Sequence, residues 1–202
     1  NIGIVHSDKG DYDKALDCYE RSLAIRDELG DKNGMATNLS NIGIEHCNKG
    51  DYEKALDYYD RSLAIKENLG DKHGMGNSLS SIGIVHYYKG EYDKALDFYG
   101  RSVAIKEKLG DKSGIGSSLI NIGIVHKNKG DYDKALDCYG RSLAIQEELG
   151  DKREMGINLI NIGIVHTDKG DYDKALDCYA RSLAIQEKLG LKREMGINLY
   201  NI

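Results

Sequence analysis

The segment running from Gly50-Asp51-Tyr52 to Leu63-Ala64-Ile65 returns almost unchanged from Gly10, Gly90, Gly130 and Gly170, with successive starts forty residues apart. A constant period of about 20–50 residues marks a stacked-repeat architecture, because one such unit cannot bury its apolar face alone and must stack on its neighbours. The chain is therefore read as one domain over residues 1–202, built of five repeats at 1–40, 41–80, 81–120, 121–160 and 161–200. Equivalent positions can then be compared inside a single sequence.

Each unit divides again, since Gly-Asp occurs at Gly10-Asp11, at Gly30-Asp31 and at most of their equivalents. Glycine suits the left-handed residue that ends a helix, and aspartate suits the N-cap that opens the next. Tyr12, Ala15, Leu16, Tyr19, Leu23 and Leu29 trace an amphipathic helical stripe. Helices of this type, B, are expected over 11–29, 51–69, 91–109, 131–149 and 171–189. Met35, Leu39, Ile42 and His46, at spacings of four, three and four, define a second type, A, expected over 31–49, 71–89, 111–129 and 151–169. Glycines such as Gly34, Gly43 and Gly76 each cost a helix interior about 1 kcal/mol against alanine, so the A helices must be held by their neighbours. Gly43 marks a close helix approach. With no proline in the chain, nothing kinks the series.

A hydrophobic content of 40% and a charged content of 30% suit a continuous core. No apolar run approaches a membrane span. The formal charge of -5, with acids and bases interleaved, gives no footprint for nucleic acid or for an anionic membrane, so neither partner is expected. Cys18, Cys138 and Cys178 share one repeat column at roughly 8–10 Å helix spacing, beyond the reach of about 7 Å that a disulfide allows. Free thiols favour a reducing compartment, and a cytoplasmic location is expected.

These residues resemble the tetratricopeptide repeat. Gly43, Gly50-Asp51-Tyr52, Ala55 and Tyr59 fit that family's small residue in helix A, its turn, and the small and aromatic residues of helix B. The forty-residue period and the missing terminal proline are similar to the longer-period branch that includes kinesin light chains, while Leu39 and His46 replace the usual large aromatic of helix A. The resemblance implies an all-α, right-handed superhelical solenoid of antiparallel helix pairs. It implies A helices lining a concave groove that binds peptides or helices of other proteins.

Comparison of the repeats gives candidate groove residues. Differences in helix A gather on one face, through the columns of Asn33, Thr37, Ser40, Cys47 and Asn48, while Ile44, Ile84 and Ile124 form a constant apolar floor on the same face. Ser80 stands early on that face, and Ile120, Ile157 and Ile160 stand later. Tyr87 and Tyr88 are the aromatics of columns that elsewhere hold smaller or charged residues such as Lys127. Large amphipathic side chains of this kind anchor interfaces, and drift among duplicated copies is the competing account. Asn41, Asn121 and Asn161 form a further column, which in members of the resembled family hydrogen-bonds a bound peptide backbone. A structural bond between adjacent A helices would also explain it.

No catalytic or metal site is expected. His46 and Cys47 are helix neighbours and do not face each other. The column of His6, His46, His86, His126 and His166 rises in steps too large for one zinc ion, whose ligands lie about 2 Å away. These histidines are expected to be packed, hydrogen-bonded side chains, and if neutral they would form an acid-sensitive column of like charges. No cofactor is implied.

The expected function is a non-enzymatic interaction scaffold for a protein or peptide ligand. One alternative is a sensor segment of a larger signalling protein. Another is a self-assembling repeat, in which end residues Ile2, Ile4, Leu191, Leu199 and Tyr200 join copies head to tail in a heterologous contact that continues as a filament.

Overall fold

The computed structural model describes residues 2–201; the side chains of Arg193, Ile197, Tyr200 and Asn201 lie outside the described set, as do Asn1 and Ile202. Among the described residues the regular structure is entirely helical. The A helices are α1 (Ile2–Asp8), α3 (Lys32–Asn48), α5 (Lys72–Tyr88), α7 (Lys112–Asn128), α9 (Lys152–Asp168) and α11 (Lys192–Asn201). Between them run the B helices α2 (Tyr12–Glu28), α4 (Tyr52–Leu69), α6 (Tyr92–Leu109), α8 (Tyr132–Leu149) and α10 (Tyr172–Leu189). Every expected boundary falls within a residue of these. No helix among the described residues is long and apolar enough to cross a membrane.

The helices gather into two compact units, Asn1–Leu109 and Gly110–Ile202. Within each, every helix packs on the one before it and the one after it. The turns are sharp because a glycine takes the left-handed region, at φ 79° in Gly50 and φ 68° in Gly70. That geometry returns the Asp51 N–H to the His46 carbonyl at 2.8 Å, satisfying a carbonyl the helix end would otherwise leave open.

The two Gly-Asp marks behave differently. Asp31, Asp71 and Asp111 cap the A helices, accepting the N–H of Gly34, Gly74 and Gly114 at 2.9 Å. Asp11, Asp51, Asp131 and Asp171, which open B helices, make no side-chain cap. Their carboxylates turn to the histidine at the end of the preceding A helix.

In the first unit Ala55, Tyr59, Leu63, Leu79, Ile82 and Val85 form one buried cluster, and Ala15, Leu16, Tyr19 and Ile42 another. In the second, Ala135, Tyr139 and Val165 play the same part. Gly43 is the close approach expected of it: a Cβ there would sit 2.8 Å from the Tyr59 ring, and Gly83 and Gly123 stand likewise against Tyr99 and Tyr139. Buried serines tie α4, α6, α8 and α10 to the A helix before each, with Ser62 Oγ donating to the Ala36 carbonyl at 2.8 Å and Ser102 Oγ to that of Gly76 at 2.8 Å. This serine column was not singled out from the sequence, although its invariance in every copy was visible.

Candidate functional site

The A-helix face of the first unit is polar. Asn41 is half-buried on α3, beside the exposed Ile44, and Ser80, Ser81 and Ile84 are half-buried on α5. Ser80 does not simply face outward: its hydroxyl pairs with Ser102 Oγ at 2.8 Å and accepts from Lys106 Nζ at 3.2 Å. Ser40 repeats the arrangement with Ser62 at 2.8 Å. The small residues of this column are thus bound up with helix B.

In the second unit the same columns are apolar and partly enclosed. Ile120 and Ile124 are half-buried against the cluster of Ala135, Tyr139 and Val165, so part of their surface belongs to the core. Ile157, Ile160, Asn121, Asn161 and Lys127 are also half-buried. Asn41, Asn121 and Asn161 stand in one column of half-buried amides. A different asparagine column does the structural bonding. Asn158 Nδ2 donates to the Tyr139 carbonyl at 2.9 Å, and Asn198 Nδ2 to that of Tyr179 at 3.0 Å.

Tyr87 and Tyr88 lie at the turn end of α5, where α6 begins. Tyr88, 58% exposed, stacks on Tyr52 with ring centroids 6.2 Å apart, and Tyr87 meets Tyr88 at 5.5 Å and Tyr92 at 6.0 Å. Four aromatic rings therefore run along one edge of the first unit. Tyr52 and Tyr92 belong to an invariant column, so their share in the cluster could not be read from variation.

The histidine column is organised by carboxylates. His46 Nδ1 lies 3.4 Å from Asp51 Oδ2 and stacks on Tyr58 at 5.4 Å; His86 Nδ1 lies 2.6 Å from Glu91 Oε2 and stacks on Phe98 at 5.1 Å. His126 and His166 pair with Asp131 and Asp171 at 3.4 and 3.3 Å. Each of these rings is thus hydrogen-bonded, as expected, and its partner is a carboxylate. His86 and then Lys94 hold the Glu91 carboxyl down at about 2. The Cys47, Cys138 and Cys178 thiols are pushed up by burial, which disfavours the thiolate.

Of the end residues, Ile2 is 70% exposed and Leu199 56%; Ile4 is exposed and Leu191 half-buried. The side chain of Tyr200 lies outside the described residues. A cavity of about 760 Å³ opens beside α1, α2 and α3, lined by Ile2, Tyr19, Ser22, Ile25, Leu29 and Asn38 among others.

Against known families, a tetratricopeptide-repeat model matches residues 1–68, 35–108 and 114–188. A comparison with curated protein sequences returns no match. Among solved structures, BtubC (BKLC) from P. vanneervenii is similar at a TM-score of 0.82 and 22% identity, over 93% of this chain and 78% of that one. A Rap protein complexed with competence and sporulation factor is similar at 0.84 and 17%, over 97% of this chain and 55% of that one. A kinesin light chain-like protein from Podosopora anserina, with nearly identical TPR-like repeats, is similar at 0.74 and 15%, over 93% of each chain.

Proposed function

The chain belongs to the tetratricopeptide-repeat family, and we propose that it is a non-enzymatic protein-interaction module whose A-helix face binds an extended peptide or a helix of a partner protein. The observation that carries this reading is where the repeats differ. Columns that pack, such as Gly43 against Tyr59 and Ser62 against Ala36, are constant or nearly so. On the A-helix side Tyr87 and Tyr88 instead replace the smaller or charged residues of the other copies, and Tyr88 is exposed. The Rap structure, described as a complex with competence and sporulation factor, offers a precedent for ligand binding on such a scaffold. We place the module in the cytoplasm, where its free cysteines would stay reduced.

The tyrosine edge is the anchor we assign to the partner, since exposed aromatic clusters supply large contact area at small entropic cost. Replacing Tyr87 by Thr and Tyr88 by Asp installs the residues of Thr167 and Asp168 in their columns and leaves the helix intact. With a partner captured by affinity pull-down, the double substitution should weaken binding by about 2 kcal/mol or more. Unchanged affinity by calorimetry would remove the tyrosine edge from the interface.

A further inference from the structure

The turn that joins α5 to α6 gathers departures from the repeat. Tyr87 and Tyr88 stand where the other copies carry Ser, Cys, Lys, Thr, Asp or Asn. Glu91 is the glutamate of a column that is otherwise aspartate, from Asp11 to Asp171, and Glu53 is the glutamate of the column that runs from Asp13 to Asp173. The structure brings these positions together. Lys89 Nζ donates to Glu53 Oε1 at 2.6 Å and lies 3.6 Å from Glu91 Oε1, while Glu91 Oε2 meets His86 Nδ1 at 2.6 Å. Each member of this chain of charges is the sequence neighbour of a ring of the tyrosine edge: Glu53 of Tyr52, His86 of Tyr87, Lys89 of Tyr88 and Glu91 of Tyr92. Independent drift gives such departures no reason to meet in one place, so the edge is a built surface.

The rings are held in place by one another. Tyr88 stacks on Tyr52 within 7° of parallel, whereas Tyr87 is tilted 58° to Tyr88 and 35° to Tyr92. The tilts leave wedges between neighbouring rings, and Tyr88 remains 58% exposed. The charges beside the rings are compensated, Lys89 by Glu53 and Glu91 and His86 by Glu91. The edge therefore selects neither an acidic nor a basic segment.

Peptide recognition reuses a few backbone forms. Strand addition needs an open sheet edge, and the regular structure of the described residues is helical. Capture of an acidic motif needs uncommitted cations, and those at this edge already face carboxylates. An amphipathic helix needs an apolar groove, whereas these rings carry phenolic hydroxyls and stand along a turn. A polyproline II segment needs closely spaced, rigid aromatic rings, and hydroxyls that donate to its carbonyls, which make no hydrogen bonds of their own. Being already extended, it loses little entropy on docking. Residues 1–202 contain no proline, so a second copy of them supplies no such segment.

We propose that the tyrosine edge of the first unit docks a proline-rich segment of a partner protein in the polyproline II form, with prolines seated in the wedges between the rings of Tyr52, Tyr88, Tyr87 and Tyr92. This rests on the reading of the tyrosines as the partner's anchor and adds the backbone form they select. Fluorescein-labelled decaproline, an alternating Gly-Ser decapeptide and an uncharged amphipathic helical peptide are titrated against the whole chain by anisotropy. Decaproline should bind most tightly, and Tyr87→Thr with Tyr88→Asp should weaken it about tenfold or more, as loss of anchoring aromatics does. Tyr88→Phe, which keeps the ring, should retain most of the affinity. Melting curves of the variants should match the parent, since Thr167 and Asp168 already serve in these columns. Decaproline binding no tighter than Gly-Ser, tighter binding of the helical peptide, or equal binding of decaproline by the parent and the folded double variant overturns the proposal. A captured partner that loses affinity on the tyrosine substitutions while decaproline fails to bind would overturn the proline reading and leave the module standing, so the two failures are distinguishable.

Discussion

At the scale of single residues, one carboxylate shows how a local motif is redirected by a neighbour. Glu91 opens a B helix as Asp51 and Asp131 do, and like them it turns to the preceding histidine, bonding His86 at 2.6 Å and Lys94 at 3.1 Å. Those bonds depress its pKa from the ordinary 4.5 to about 2. A depressed acid contributes stability that is present above its unfolded value and is lost as the pH falls through its folded value. The contribution of Glu91 is therefore complete above pH 4.5 and fades towards pH 2. Glu91→Gln should flatten that part of the acid limb in denaturant titrations, and an unaltered limb would show that the His86 contact contributes nothing. Glu45 is the opposite case. Its carboxyl is buried with Oε2 unpartnered, in a column that elsewhere holds Val5, Val85, Val125 and Val165, and nothing in the structure explains its retention.

At the scale of helices, the spacing between A and B is set by a glycine against a tyrosine ring. A Cβ at Gly83 would stand 2.7 Å from Tyr99 Cε1, and that ring is buried at 2% exposure, so it has little room to withdraw. Gly83→Ala should destabilise the protein by about 1–3 kcal/mol through overpacking. Gly100, inside α6, meets nothing within 4 Å at its added Cβ, and Ala180 occupies its column in α10. Gly100→Ala should stabilise by up to about 1 kcal/mol through helix propensity. Urea denaturation of both variants checks the pair. Effects of the same sign would mean that propensity or packing alone governs both positions, contrary to the geometry.

At the scale of the whole molecule, constant columns are scaffold, while variable columns mix surface with repacking. Gly43, Ala55 and Tyr59 serve packing, and Tyr87 and Tyr88 stand apart from their columns. Ser80 and Ile120, groove candidates by their variation, also touch helix B or the core, because variation between copies accompanies repacking as well as ligand contact. Ser80 changes to Ile120 while Lys106 changes to Gln146, and the two columns touch through the Ser80–Lys106 bond. The bonds of Lys66 to Ser40 and Ser78 are not legible in the sequence, since a column of arginine, lysine and glutamine gives no sign of which serines lie within reach.

The sequence by itself determined the forty-residue period, the helix type at every position, the helix ends to within a residue and the close contact at Gly43. These follow from turn chemistry and from apolar spacing along one helix, both of which are local properties of the chain. Only the tertiary structure decided which polar groups meet. Asp31 caps its helix while Asp51 turns to His46; Lys66 bridges two serines while Arg26 finds Asp31; Tyr52 and Tyr92 join Tyr87 and Tyr88 in one edge. A donor's choice among acceptors depends on distances between helices, and hydrogen bonds lapse within a fraction of an ångström, a scale that residue spacing along the chain does not encode.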